Sequence, residues 1–553
     1  MKSALKNNIP VSVLFLIFFI IGCYTFRDYG IGIEEHFQRK SGFYWLNFIL
    51  NYFNFGEINE IASLKLNEII SFTPNLFDIK KFPFYGVLFD LPLAFLETLL
   101  NIKEPQNYFY LRHIANFIIF LISGLFFYAL LKKRFKNIYI PLFGFVFFII
   151  APRMYGNSFF DGKDIFFLSI FTINFYFYFS YVNNPTIKKL IFFALFCAFT
   201  TSTRIIGILL PLSFVFIFFL KSLSGNNKKI LLKHFIIFIF SYFFLLYMHW
   251  PYLWTLDLTG YLHFFDPFFY SMNPTVFFNG EFYKSQYLPI YYLPLWILIT
   301  TPVYYLILFL IGIYLKASLI FNRLLSIEEN YKITRNDLWI GKNEEVDVLV
   351  FLNLFLILIL YLSVNLVLLS GWRHFYYLNF FIVYFSCFSI NFIFEYFKNK
   401  KIIKRVFMLF LIIFTIELIY KLYIYHPHQS SYFNNLATKN FKKKFEIDTQ
   451  ALSRIDAIKT ILKDSKNKSA VKIGTASWTP LEDARSLIKK ELWEKLIFTG
   501  TSNKKDADYI FTNHYYEVNS TLNKKYEIPK NFYLFKNLVI NGTHIYSLYK
   551  KQI

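Results

Sequence analysis

Three groups of charged residues lie at the edges of long apolar runs, where an ionised side chain is costly and tends to have a task. The first is Asp28-Tyr-Gly-Ile-Gly-Ile-Glu34-Glu35-His36. Adjacent carboxylates beside a histidine can act as a general base or hold a divalent metal, and Gly30 and Gly32 permit a tight backbone. An ordinary polar loop after a helix reads the same way. The second group is Ala151-Pro-Arg153, followed by Asp161-Gly-Lys163-Asp164. Arg153 suits a phosphate, and Asp161 or Asp164 suits a metal or a sugar hydroxyl. The plainer reading is a Pro-Arg helix end, with Asp164 capping the next helix. The third group is Arg112-His113, Arg204 and Gly371-Trp-Arg373-His374. Snorkelling to headgroups explains any one of these. Taken together, they suit one anionic ligand such as a lipid phosphate.

The elements that must position these groups are membrane helices. Of 553 residues, 56% are hydrophobic and 17% charged, at a mean hydropathy of +0.41. Soluble domains carry about 25% charged residues, so a cytosolic enzyme, a disordered tail and a collagen are all excluded. Apolar runs fall at about 9–26, 112–131, 138–152, 165–182, 188–203, 205–220, 230–250, 294–315, 346–369, 375–394 and 404–422. The fold class expected is an all-α polytopic membrane protein of about eleven transmembrane helices. The stretch 84–100 is interrupted by Asp90, Pro92 and Glu97, which predicts an interfacial or re-entrant helix rather than a span.

Loop charge sets the expected orientation. With 84–100 not crossing, one side receives Lys132 to Lys136, Lys188-Lys189, Lys221 with Lys228-Lys229, Lys316 to Lys342, and Lys398 to Arg405. The positive-inside rule makes that side cytoplasmic. The N-terminus, read as an uncleaved first helix, is then cytoplasmic, the protein sits in the plasma (inner) membrane, and all three charged groups face outward. Most of the net charge of +23 is thus topology plus a basic tail, which removes nucleic acid as a partner. Cys23, Cys197 and Cys387 all lie in apolar runs, so no disulfide framework or cysteine metal site is expected.

Two domains are expected: a membrane domain over 1–424, whose first outer loop of about 27–111 carries interfacial helices, and a soluble extracytoplasmic α/β domain over 425–553. In the latter, 454–463 and 481–490 read as helices and 470–475 and 509–512 as strands. Asn541-Gly542 reads as a hairpin turn between two alternating stretches. His426-Pro-His428 marks the junction. Asn467, Asn519 and Asn541 match the glycosylation pattern.

The order and common side of these motifs resemble the polytopic GT-C glycosyltransferases that use polyprenyl-phosphate sugars. The layout is similar to the branch of protein O-mannosyltransferases and lipid A aminoarabinose transferases. Carrying the resemblance are Glu34-Glu35-His36, Arg112, Pro152-Arg153 with Asp161 and Asp164, Arg204, Trp250 to Trp254, Arg373-His374, and His426 to Asn434. The family usually has an Asp-Glu pair in the first loop, where this chain has Glu34-Glu35. The resemblance implies a GT-C-like membrane domain that transfers a sugar, with inversion, from a polyprenyl-phosphate donor to a hydroxyl of a lipid, glycan or protein acceptor. It implies Glu34, Glu35 and Asp164 as catalytic groups, and His36, Arg112, Arg153, Asp161, Lys163, Arg204, Arg373 and His374 as substrate-binding ones. Which glutamate is the base stays open. No cofactor is required, and a divalent metal is compatible. Membrane lipids are the other expected partner. The rival class is a transporter or flippase for a lipid-linked or anionic solute, against which the absence of an internal repeat counts.

Overall fold

The structure, a computed structural model, describes residues 8–72, 82–223, 228–270, 273–325, 338–517 and 524–552. The basic start Met1 to Lys6, much of the Lys316–Lys342 loop and the Asn519 sequon lie outside these. The helices are α1 (Ile9–Thr25), α2 (Glu35–Tyr52), α3 (Gly56–Phe72), α4 (Asp90–Leu99), α5 (Pro105–Arg134), α6 (Tyr139–Ile150), α7 (Pro152–Phe160), α8 (Asp164–Asn183), α9 (Ile187–Thr203), α10 (Leu209–Leu223) and α11 (Lys228–His249). After the single turns α12 (Leu258–Leu262) and α13 (Asp266–Tyr270) come a hairpin, β1 (Thr275–Phe278) and β2 (Glu281–Lys284), then α14 (Tyr292–Thr300) and α15 (Val303–Leu325). The set continues with α16 (Gly341–Ser363), α17 (Leu378–Tyr396) and α18 (Lys401–Tyr425).

Among the described residues seven helices are long and apolar enough to cross a membrane, α10 together with the 3₁₀ turn Ile205–Ile208 before it, or eight if the bent pair α6–α7 counts as one span. The expected run 138–152 thus continues as a helix through the predicted loop, with a bend of 59°. Pro152 causes it: proline disfavours helical backbone in the residue before it, and Ala151 has ψ 115°. The run 294–315 is likewise divided into α14 and α15 at Thr301-Pro302. The other expected spans at α1, α9 and α18 are helices outside the count, α1 and α9 being 17 residues each.

The stretch 84–100 contains only α4, 10 residues or ~15 Å long, too short for a hydrocarbon core of ~30 Å. Helices α2, α3 and α4 instead pack on one another around Phe43, Leu46, Leu50, Ala62 and Ala94. Arg39 ties them by a two-pronged bond to Glu97, at 3.0 and 2.6 Å, and the Lys65 ammonium lies 3.5 Å from the same carboxylate.

The C-terminal region is α/β, as expected. Helices α19 (Lys439–Lys442) and α20 (Ser453–Asp464) precede β3 (Val471–Thr475), β4 (Leu496–Gly500), β5 (Tyr509–Thr512), β6 (Phe532–Ile540) and β7 (Thr543–Lys551). These strands form a sheet ordered β4-β3-β5-β7-β6, parallel around β3 and antiparallel from β5 onward. Asn541 and Gly542 both have positive φ, +49° and +74°, and close the β6–β7 hairpin as their types predict. One reading needs correction: 481–490 forms no α-helix but a 3₁₀ turn at Glu482–Leu487, and β4 lies where no element was expected. The boundary expected at 424/425 falls at the end of α18. The sheet core is continuous with Ile31, Tyr108, Phe109, Tyr425 and Tyr432, so the domain sits directly on one end of the helices.

Candidate functional site

The loop bearing the two glutamates is fastened by that domain. Arg454 of α20, 1% exposed, donates to the Ile31 carbonyl at 2.8 Å and to the Pro480 carbonyl at 2.7 Å. Gly30 lies against the Leu452 backbone with no room for a Cβ, which explains the residue type. Tyr29 donates to Gln429 at 3.0 Å, and His426 and His428 pair with Asp28 and Asp456 at 3.0 and 2.9 Å, consistent with a junction.

So held, the two glutamates point to different places. Glu35 is buried as the first residue of α2, where it accepts from the Gly32 N–H at 2.7 Å and meets His113 Nε2 at 3.2 Å. Glu34 lines a cleft and is bonded by Arg373. Arg373 follows a turn in which Ser370 and Gly371 take positive φ, +58° and +70°. Its Nε lies 3.9 Å from Asp164, whose carboxylate is also paired with Arg204 at the end of α9.

Asp161 does the capping anticipated for Asp164: its Oδ1 accepts from the Asp164 N–H at 2.8 Å and the Lys163 N–H at 3.3 Å. Lys163 places its ammonium 3.0 Å from the centre of the Tyr85 ring. A cation over an aromatic face gains from the ring quadrupole. Glu34, Asp161, Lys163, Asp164, Arg204 and Arg373 therefore form one buried cluster, with His374 beside its cations.

Five side-chain atoms of this cluster are buried without a hydrogen bond: Asp161 Oδ2, Arg204 Nε, Arg373 Nε and both oxygens of Asp164, which are met only by the ion pairs with Arg204 and Arg373. Buried polar groups are normally satisfied, so this concentration makes the cluster the candidate binding site. The cleft is walled by Glu34, Phe37, Gln38, Tyr85, Phe89, Asp90, Lys163 and Thr203. It holds about 40 Å³ of water-accessible space, enough for about three waters at 10–15 Å³ each.

The electrostatics separate the carboxylates. Burial alone would raise Glu34, but Arg373, with Lys163 and Arg204, outweighs it and holds the carboxyl at about 2. Burial dominates at Asp161 and pushes it above the usual carboxylate range, with Glu34 adding to the effect against Arg373. Burial, then Arg204 and Arg373, keeps His374 well below its ordinary value, so it stays neutral.

Three anticipated residues lie elsewhere. His36 packs on Phe109 and meets the Asp483 carbonyl at 3.2 Å, so it docks the C-terminal domain. Arg153 is buried between Trp296 and Phe433 and donates to the Tyr432 carbonyl at 3.1 Å, holding the junction segment. Arg112 sits one layer back, bonded to Asp90 on the cleft wall. In each case the side chain found a neighbour in the protein instead of an open site.

Other residues were not foreseen. Tyr85 and Asp90 come from the stretch read only as a non-spanning helix. Gly86, whose missing side chain lets the loop press on the Ser202 carbonyl, is the one local hint. Tyr515 reaches Ser370 and the neighbourhood of Arg373 from beyond β5, and no sequence signal pointed to it. Among the described residues no group of three or more His, Cys, Asp or Glu side chains is arranged to hold a metal.

Fold and site together define a mostly helical polytopic membrane protein with a small C-terminal sheet region and a buried ionic cluster at the end of the helices where that region docks. No family model matches this chain, and no curated protein matches it.

Proposed function

We propose that the protein is an integral-membrane glycosyltransferase of the GT-C type, which moves a sugar from a polyprenyl-phosphate donor to an acceptor hydroxyl with inversion. The observation that carries this reading is the pairing of one cleft-lining carboxylate, Glu34, with Arg373 in a cluster that also holds Arg204 and Lys163. Such a reaction needs both parts: cations for a phosphate and, next to them, a base for a hydroxyl. In this reading the helices make about eleven spans, the plasma (inner) membrane surrounds them, and cluster and C-terminal domain face outward.

The donor phosphate binds Arg373 and Arg204, which draws Arg373 away from Glu34 and raises that carboxylate's proton affinity where the acceptor arrives. Glu34 takes the acceptor hydroxyl proton as the oxygen attacks the anomeric carbon. The bond from that carbon to the phosphate oxygen breaks, and its electron pair leaves with polyprenyl phosphate, stabilised by the arginines as charge develops. Asp164 orients Arg204 and Arg373. Glu35 fixes the loop through Gly32 and His113.

The test is transfer from a radiolabelled polyprenyl-phosphate sugar in membranes. Glu34→Gln is expected to lose about 10²- to 10⁴-fold at unchanged protein level. Undiminished transfer would overturn the assignment. Counterflow of the lipid-linked sugar in liposomes without any glycosyl product would make the protein a carrier.

A further inference from the structure

A second opening lies at the far end of the helices, away from Glu34, and shares no residue with it. Helix α18 starts there at Lys401 and runs to Tyr425 beside the C-terminal domain. A crevice of about 790 Å³ separates it from α6 and α1. Its mouth is made by Lys398, Lys401, Lys404 and Arg405, with Glu395 as the acidic residue among the lining side chains. None of these five makes an ion pair among the described residues, whereas the nearby cations Arg134, Lys221 and Lys316 each do. Beyond the mouth the lining becomes apolar. On α18 it continues through Met408, Ile412 and Ile416, spaced four residues apart so that they share one stripe. From Lys401 to Ile416 that stripe is ~22 Å long, most of a hydrocarbon leaflet pair of ~30 Å. Leu142 and Val146 of α6 form the opposite wall.

We propose that this crevice binds an anionic phospholipid, with its phosphate at the four cations and an acyl chain along the stripe. Basic residues at this end follow from topology alone, but topology does not require an apolar crevice to open beneath unpaired ones. A free anion gains nothing from the stripe, and a zwitterionic lipid brings its own cation against four others. Clusters of lysine and arginine between membrane helices bind acidic headgroups on these grounds.

The test uses the full chain in nanodiscs and in detergent, reading phosphatidylglycerol binding by native mass spectrometry. Replacing Lys398, Lys401, Lys404 and Arg405 together by Gln is expected to weaken binding about 600-fold, at about fivefold per charge removed. Arg405→Gln alone, which carries little folding risk, should cost about fivefold. Ile412→Trp, which fills the crevice without touching the charges, should also weaken it, and phosphatidylcholine should bind neither form. Equal binding by wild type and the charge variants, equal retention of phosphatidylcholine, or displacement by millimolar inorganic phosphate would each overturn the proposal.

Discussion

Two buried clusters of charge lie at opposite ends of the helices. At one end Asp347 of α16 accepts from Arg134 at 2.9 and 2.7 Å, from Lys316 at 2.5 Å and from Tyr384 at 2.8 Å. Its neighbour Glu345 takes Lys221 at 2.5 Å and Tyr178 at 3.2 Å. Both oxygens of Asp347 are in use, and Oε1 of Glu345 accepts both of its donors, so neither carboxylate is without a partner. At the other end the cluster around Glu34 leaves Asp161 Oδ2, Arg204 Nε and Arg373 Nε without a hydrogen bond and opens on a cleft. Burial and charge are common to both. What differs is satisfaction: a completed network has spent its bonding capacity on the fold, and an incomplete one retains it for a ligand.

The largest expected effect tests the completed end. Asp347→Ala leaves two buried cations unpaired and should cost about 3–5 kcal/mol, read as a lower thermal midpoint in detergent. Glu34→Gln should cost far less stability, because its neighbours are already under-satisfied; equal losses would make both clusters structural and break the contrast.

Next comes Arg373→Gln, expected to lower kcat/KM for transfer about 10²- to 10³-fold. The same variant sharpens the pH argument. Glu34, held at about 2, should keep kcat/KM flat as pH falls from 7 towards 4, because it stays ionised in the free enzyme. Without Arg373 its proton affinity rises, and activity should fall at a higher pH. A wild-type acid limb above pH 5 would point to Asp161, whose carboxyl burial raises, as the base instead.

A third case extends the comparison to an acid with no cation. Glu446 is 3% exposed, accepts from the Phe277 N–H at 2.8 Å, and has its other oxygen unpartnered. Burial pushes it up to about 8. The folded state therefore holds a proton that the unfolded state has released, and stability is lost as pH rises from the ordinary carboxylate range to about 8. Glu446→Gln should remove that loss: its thermal midpoint should match wild type at pH 5 and exceed it at pH 8. A pH-independent difference would refute the buried protonated acid.

The smallest effect is at the neighbouring carboxylate. Glu35→Gln keeps a side-chain oxygen for the Gly32 N–H and should cost about 1 kcal/mol and less than tenfold in transfer. A loss matching that of Glu34→Gln would move the base to Glu35.

Much of this was legible in the chain because the rules involved are local. Long apolar runs produced helices where they were expected, and Asp90, Pro92 and Glu97 kept α4 from being a span. Asn541-Gly542 marked its hairpin because both positions require positive φ. The rest was not local. Pro152 was visible, but whether a proline ends a helix or bends it depends on what packs around the bend. Of the edge cations and histidines, Arg204 and Arg373 reached the cluster, while Arg153 and His36 went to the Tyr432 and Asp483 carbonyls, partners hundreds of residues away.

By itself, then, the sequence determined which segments leave water, since burial of apolar surface and satisfaction of the backbone act on each stretch independently. It also determined which charged residues collect at the two ends of those segments. Only the tertiary structure decided which of two adjacent glutamates meets an arginine and which braces a loop. That choice follows from the direction of one helix start and from Arg454 and Leu452 pressing on the loop from a domain that begins some 400 residues later. A side chain's chemistry belongs to its residue, but its proton affinity and its spare bonds belong to its neighbours.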